Sequence, residues 1–293
     1  MSALPDAPHF PLAIIGAGAL GLHFAARLAG SGPVALVARS DAQGAALRAG
    51  TRVGDALFQA QAFGPAALPR ADWVILLVKT GDTLSAAATA RALAPRGIVS
   101  LQNGLVDHLL QAACPGLPVG QGITTAGAWR NADGVYPAGT GETLLPPGFE
   151  AVAELLCRAG LPARVEPEIA AARLAKLLVN VAINPLAALH GVTNGALREA
   201  PYRTALDTLV DEAWPVLRAA GLALDADAAR QRVIAVATAT AANRASMLQD
   251  VQAGRRTEID AITGALLEMA QQQGIELPAH RDVFRRIKAL ELD

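Results

Sequence analysis

Leu12-Ala-Ile-Ile-Gly16-Ala17-Gly18-Ala19-Leu20-Gly21 is the stretch whose reading decides the fold. A short apolar, β-prone run leads into glycines spaced G-x-G-x-x-G. A helical pattern follows from Leu20 to Ala29 and is closed by Gly30-Ser-Gly32, after which a second run, Pro33-Val-Ala-Leu-Val-Ala38, stops at Arg39-Ser40. This is a β-α-β unit with its glycines at the strand-to-helix turn. Glycines there allow the tight turn and let the backbone approach a pyrophosphate at the positive end of the helix. The placement between strand and helix, more than the glycine pattern alone, marks Gly16 to Gly21 as a dinucleotide-binding turn.

The tip of the second strand selects the cofactor. An acidic residue there would bind the ribose hydroxyls of NAD, whereas Arg39 suits a 2′-phosphate, with Ser40 able to add a hydrogen bond. Asp41 is read as the cap of a helix over 42–49. The expected cofactor is therefore NADPH. Gly50 to Pro69 reads as irregular strands and turns. Asp72-Trp-Val-Ile-Leu-Leu-Val78 and Gly97-Ile-Val-Ser-Leu101 read as buried parallel strands, followed by Lys79-Thr80 and Gln102-Asn103-Gly104. Ligands of open α/β sheets lie beyond the carboxyl ends of strands, which is where Lys79 and Asn103 fall. Asn103 is equally readable as half of an Asn-Gly turn, and Lys79 as a solvated strand end. A strand from Val119 runs into the small residues up to Ala128. Residues 135–139 and 142–145 read as a hairpin around Thr140-Gly141, and a helix over 149–158 and a strand over 163–165 close the first domain. The expected boundary is Glu166-Pro167-Glu168, giving domains 1–167 and 168–293.

From Ile169 the pattern is helical, with apolar spacing over 205–219 (interrupted by Pro215), 226–242 and 256–273. The residues from Pro278 read as an amphipathic helix with a basic, solvated face. Within this half, Lys176-Leu-Leu-Val-Asn180-Val-Ala-Ile-Asn184-Pro185 puts Lys176, Asn180 and Asn184 on one helical face between apolar flanks. Polar groups in such surroundings need partners, whether a ligand or a structural network of buried amides. Taken singly, Ser246 and Asp250 read as capping or solvating a helix, Glu258 as a surface carboxylate, and His190 as structural.

Composition narrows the choices. The chain has 293 residues, 52% hydrophobic and 17% charged, with a formal net charge of -1. That length favours two domains, and the balance of charge argues against nucleic acid or anionic membrane partners. No apolar run reaches the roughly 18 residues of a membrane span, and the first residues lack a signal-peptide pattern. The two cysteines form neither a disulfide framework nor a metal site, and a cytoplasmic location is expected. Of 25 basic residues only Lys79, Lys176 and Lys288 are lysines. Lysine can shift its pKa and release a proton where arginine cannot, which adds weight to chemistry at Lys176.

Taken together, these motifs resemble those of the ketopantoate reductase (2-dehydropantoate 2-reductase) family along nearly the whole chain after a short N-terminal extension. The likeness rests on Gly16-Ala-Gly-Ala-Leu-Gly21, Val78-Lys79, Gln102-Asn103-Gly104, Lys176-x3-Asn180-x3-Asn184-Pro185, Asn194-Gly195, Ser246-Met-Leu-Gln-Asp250 and Arg256-Thr-Glu258-Ile-Asp260. The resemblance implies an α/β fold, a Rossmann-type dinucleotide-binding domain followed by an all-α domain. It further implies NADPH-dependent reduction of 2-dehydropantoate to (R)-pantoate on the way to pantothenate and coenzyme A, with no metal. By position, Lys176 would be the proton donor, while Asn180, Asn184, Asn194 and Ser246 would hold the keto acid. Asn103 would touch both nicotinamide and substrate. Gly16, Ala17, Gly18, Ala19, Leu20, Gly21, Arg39, Lys79, Ala128 and Glu258 would lie on the cofactor side, placing the site in a cleft between the halves. The alternatives are a reductase of another 2-keto acid or 3-hydroxy acid, and a non-enzymatic NADP(H)-binding regulator. Lys176 together with Glu258 argues against the regulator, because binding alone needs no proton donor. A homodimer would follow from an exposed apolar face on the carboxyl-terminal helices.

Overall fold

The computed structural model describes residues 7–139 and 141–291. The chain divides into two compact units: residues up to Gln102 with Val106–Ile169, and Asn103–Leu105 with the chain from Ala170 onward.

The first unit runs β1 (His9–Ile15), α1 (Ala19–Ala29), β2 (Val34–Val37), α2 (Asp41–Ala49), β3 (Thr51–Val53), β4 (Ala56–Phe58), β5 (Ala62–Phe63), β6 (Arg70–Leu76), α3 (Thr83–Ala92), β7 (Gly97–Ser100), α4 (Asp107–Ala113), β8 (Val119–Gln121), β9 (Ile123–Thr124), β10 (Ala128–Arg130), β11 (Val135–Pro137), β12 (Thr143–Leu145), α5 (Glu150–Arg158) and β13 (Ala163–Val165). Its main sheet has six strands in the order β5-β2-β1-β6-β7-β8, all neighbours parallel. Strands buried on both faces must be apolar almost throughout, and β2 and β7 are buried at every residue. Side chains alternate between the faces. Leu12 and Ile14 join the core beneath α1 and α5, while Ala13 and Ile15 join the one beneath α3 and α4. The strand order reverses at β1, so the crevice beyond the carboxyl ends of β1 and β6 is where such a sheet receives a ligand. Gly16 follows β1, and Lys79 stands three residues past the end of β6.

The second unit is helical: α6 (Ile169–His190), α7 (Arg203–Ala219), α8 (Ala226–Ala239), α9 (Ser246–Gln252), α10 (Ala265–Gln273) and α11 (Pro278–Leu290), with a π-helical turn at Asp260–Gly264. One apolar core collects Leu177, Leu178, Val181 and Ile183 of α6 with Leu206 and Val210 of α7 and Ile287 of α11. Pro185 lies inside α6 and Pro215 inside α7 without ending either helix.

The structure corrects several local expectations. The expected hairpin around Thr140-Gly141 does not form, and Thr140 itself lies outside the described residues. Each of its arms instead pairs antiparallel with an earlier strand, β11 with β10 and β12 with β9, so the two arms belong to different sheets. Ser40, not Asp41, caps α2, its hydroxyl accepting the Gln43 amide at 3.2 Å, while Asp41 accepts the amide of Ala66 at 3.2 Å. The helix expected from Arg256 begins at Ile259, whose amide is taken by the Thr257 hydroxyl at 3.2 Å. Gly50 to Pro69 contains the β3–β4 antiparallel pair and β5. The expectation about membrane-spanning length also needs amending. By length and composition α6, 22 residues long, is apolar enough to cross a membrane, with half of its most apolar window buried inside the protein. Among the described residues of the carboxyl-terminal helices, Leu290 is the one large apolar side chain that stands fully exposed.

Candidate active site

The glycine turn is shaped by close approach. Gly16 has φ +120, and a Cβ there would lie 2.6 to 2.8 Å from the backbone of Leu77 and Val78. A Cβ on Gly21 would run into the Gly16 carbonyl. Gly18 differs: a Cβ there would meet nothing within 4 Å. It is also the N-cap of α1, with extended backbone and no side-chain cap. The opening amides of α1 thus have no side-chain acceptor at the cap, and the space over Gly18 is open, which suits an anionic group carried by a helix start. These residues therefore fit a dinucleotide pyrophosphate. Ala17 is buried, while Ala19 and Leu20 open the helix half-buried. Arg39 leaves β2 with an exposed side chain, its backbone amide donating to Gln43 Oε1 at 3.0 Å. Lys79 and Ala128 are half-buried in the same unit.

The second unit carries the polar face of α6. Lys176 and Asn180 are half-buried and Asn184 is 8% exposed, so the face sinks into the core along the helix. Part of Lys176 stays open to solvent, but the atoms around it are dense enough that burial dominates its charge. Desolvation pulls the ammonium from an ordinary 10.5 to about 8, against the opposing influence of the Glu258 carboxylate. Asn103 Nδ2 donates to Glu258 Oε2 at 2.9 Å. Glu258 thus links the three, to Asn103 by a hydrogen bond and to Lys176 electrostatically.

Asn103 reaches this cluster because the Asn103–Leu105 segment groups with the helical unit. Gly104 has φ +71, and a Cβ on it would collide with Ala261, whose carbonyl accepts the Leu105 amide at 3.3 Å. The turn reading and the site reading of Asn103-Gly104 are therefore compatible. The flanks of the segment are tied to one side chain, Gln121, which donates to the Gln102 carbonyl at 3.3 Å and accepts the Val106 amide at 2.9 Å.

Asn194 is 8% exposed and anchored by its amide group: Nδ2 donates to Thr240 Oγ1 at 2.9 Å, while its backbone N–H donates to the Asn243 carbonyl at 3.0 Å. Its Oδ1 is buried and has no donor among the described residues. Gly195 packs so closely on the Ala241 backbone that a Cβ would come within 3 Å. Ser246 opens α9 with an exposed side chain. Thr240 and Gln121 were not foreseen from sequence. Each acts through a contact to residues at least 15 positions away, which helix and strand periodicity do not reveal.

The chain is similar to known proteins along most of its length. Residues 12–148 match the family Ketopantoate reductase PanE/ApbA, and residues 168–291 match Ketopantoate reductase PanE/ApbA C terminal. The chain is 36% identical over 203 residues to a 2-dehydropantoate 2-reductase of Vibrio cholerae, covering 66% of this chain and 68% of that one. The solved structure of a probable 2-dehydropantoate 2-reductase from Bacillus subtilis is 32% identical, with a TM-score of 0.80 and coverage of 96% and 99% of the two chains. A D-mandelate dehydrogenase solved with NADH and anilino(oxo)acetate shares the fold at a TM-score of 0.87, covering 96% and 97%, with 22% identity.

Proposed function

The chain belongs to the ketopantoate reductase family, and from that premise we propose that it reduces 2-dehydropantoate to (R)-pantoate with NADPH, Lys176 giving the proton. What carries the reading is a lysine whose ammonium titrates at about 8, facing a glutamate that also holds Asn103.

When bound, NADPH supplies the hydride. Its arrival at the 2-keto carbon leaves negative charge on the ketone oxygen, which an adjacent ammonium stabilises and then protonates. A proton donor with a pKa near the working pH does both, being charged before the step and able to give up its proton in it. Glu258 keeps Lys176 from losing its proton too early by opposing the effect of burial. Asn180, Asn184 and Asn194 each carry an amide that donates and accepts, which suits a substrate with a carboxylate, a ketone and a hydroxyl. The buried, unpartnered Oδ1 of Asn194 supports this, since it requires a donor that a substrate hydroxyl would bring. Ser246 would add a further contact. On the cofactor side, Gly16 to Gly21 would hold the pyrophosphate, Arg39 the 2′-phosphate, and Lys79, Ala128, Asn103 and Glu258 the remainder. We place the enzyme in the cytoplasm.

The second reading is a reductase of another 2-keto acid on the same fold, favoured by the D-mandelate dehydrogenase likeness. NADPH oxidation followed with ketopantoate, 2-ketoisovalerate and pyruvate separates the two. Turnover of ketopantoate well above the others is expected, and no preference for it would remove the assignment. Lys176→Ala is expected to lower kcat by orders of magnitude while NADPH still binds.

A further inference from the structure

The last described residue reaches back to the loop that carries Glu258. Thr257, 6% exposed, donates both its backbone amide, at 2.8 Å, and its hydroxyl, at 2.6 Å, to Oε1 of Glu291, just past α11. The same hydroxyl accepts the Ile259 amide at 3.2 Å. Both chain neighbours of Glu258 are therefore tied to one hydroxyl, and that hydroxyl is tied to Glu291. Downstream, the Glu258 carbonyl accepts the amides of Ala261 and Ile262, each at 3.1 Å, where the π-helical turn begins. The other charged groups of this network are Lys288, bonded to Glu291 Oε2 at 2.9 Å and Asp260 Oδ2 at 3.0 Å, and Arg256, at 3.3 Å from Asp260. The Glu291 side chain is only 8% exposed. Its burial opposes ionisation, but the hydrogen bonds from Thr257 and Lys288 outweigh that and hold its carboxyl below the usual range.

A buried carboxylate spending two hydrogen bonds on a single threonine is a strong constraint, because charge-assisted bonds are about twice as strong as neutral ones. The thing constrained is the backbone on which Glu258 is mounted. We propose that Glu291 is a positioning residue of the Lys176 site, acting through Thr257 to aim the Glu258 carboxylate at Asn103 and Lys176. The proposal rests on the reading of Lys176 and Glu258 as active-site groups, but its geometry and its test require no substrate.

The test is the titration of the Lys176 side chain, read by NMR on protein labelled at lysine Cε. With three lysines in the chain, assignment by single substitution is direct. In the parent the midpoint is expected near 8. Glu258→Gln should lower it, since Glu258 raises it. Thr257→Val, which alters no charge and little volume, and Glu291→Ala should lower it in the same direction, by a few tenths to about one pH unit. Thr257→Ser, which keeps the hydroxyl, should restore the parent value. Asp260→Asn removes a charge from the same network without touching Thr257, and should move the midpoint less than Glu291→Ala does. A Thr257→Val protein that melts cooperatively yet titrates like the parent, while Glu258→Gln shifts, overturns the proposal. So does an Asp260→Asn shift as large as that of Glu291→Ala, which would assign the effect to charge rather than position. If Glu291→Ala does not fold, Thr257→Val and Thr257→Ser decide the matter. Failure of ketopantoate turnover with these shifts intact would withdraw the substrate and leave the positioning role standing.

Discussion

Replacing Lys176 by Met should make the protein more stable near neutral pH, and the gain should vanish in alkali. The Lys176 ammonium titrates at about 8 in the folded chain against an ordinary 10.5. A group with a lowered folded pKa is charged in both states below about 8, where burying the charge costs its full amount. Between the two values the unfolded chain holds a proton that the folded chain has released, so stability rises with pH across that window. At about 1.4 kcal/mol per pH unit, the drop corresponds to roughly 3 kcal/mol. Partial exposure of the side chain reduces the expected figure to about 1–2 kcal/mol. Methionine keeps the unbranched length and removes the charge. Urea melts followed by circular dichroism should place Lys176→Met above the parent by that amount near pH 7. The gap should shrink through pH 9 and close only above pH 10.5, as the unfolded lysine also loses its proton. Comparing two proteins that differ at one residue cancels the titration of the others. A gap that stays constant over this range, or widens, would refute the claim that burial governs the Lys176 charge.

Further outcomes follow from other contacts. The rate of reduction should fall as pH rises through about 8, and in Glu258→Gln that alkaline limb should move to lower pH, because Glu258 raises the Lys176 pKa; an unmoved limb in steady-state profiles would dissociate the two groups. Arg39→Ala should weaken NADPH binding far more than NADH binding in fluorescence titrations, and equal weakening would count against a 2′-phosphate role. Gly18→Ala should melt close to the parent, since its Cβ meets nothing within 4 Å, while losing dinucleotide affinity. Gly21→Ala should lose stability outright by thermal melt, because its Cβ meets the Gly16 carbonyl.

The elements legible in the sequence were those whose signal is local. The β1–turn–α1 unit, the apolar strands β6 and β7, and the long helical runs are each specified by neighbouring residues, and their observed bounds lie within a few positions of the expected ones. What escaped was pairing across distance. The arms around Thr140-Gly141 looked like a hairpin because they are adjacent, yet β9 and β10 were better partners. The helix start at Ile259 depended on a hydroxyl tied to Glu291, 34 positions away from Thr257. The same divide holds for the site. The spacing of Lys176, Asn180 and Asn184 put them on one helix face without help. The link from Asn103 to Glu258 spans 155 positions, and no periodicity carries it.

The order of polar residues along α6 has a physical reason. Residues four apart on an α-helix are offset by about 40° around its axis, so a four-residue repeat does not track one line but drifts around the cylinder. In α6 the drift runs toward the core: Lys176 and Asn180 are half-buried and Asn184 is 8% exposed. A neutral amide at the deep end costs little if its hydrogen bonds are met, whereas an ammonium there would demand a buried counter-charge. At the open end the lysine keeps enough solvent and enough of Glu258's influence to hold its pKa at about 8 rather than lower. A lysine at position 184, the more buried site, would meet a larger desolvation cost for its charge. Asparagine at 176 would have removed the only group on this face able to give one up. On the proposed reading, the sequence Lys-x3-Asn-x3-Asn is the order that this burial gradient allows for a proton donor backed by two neutral binding groups.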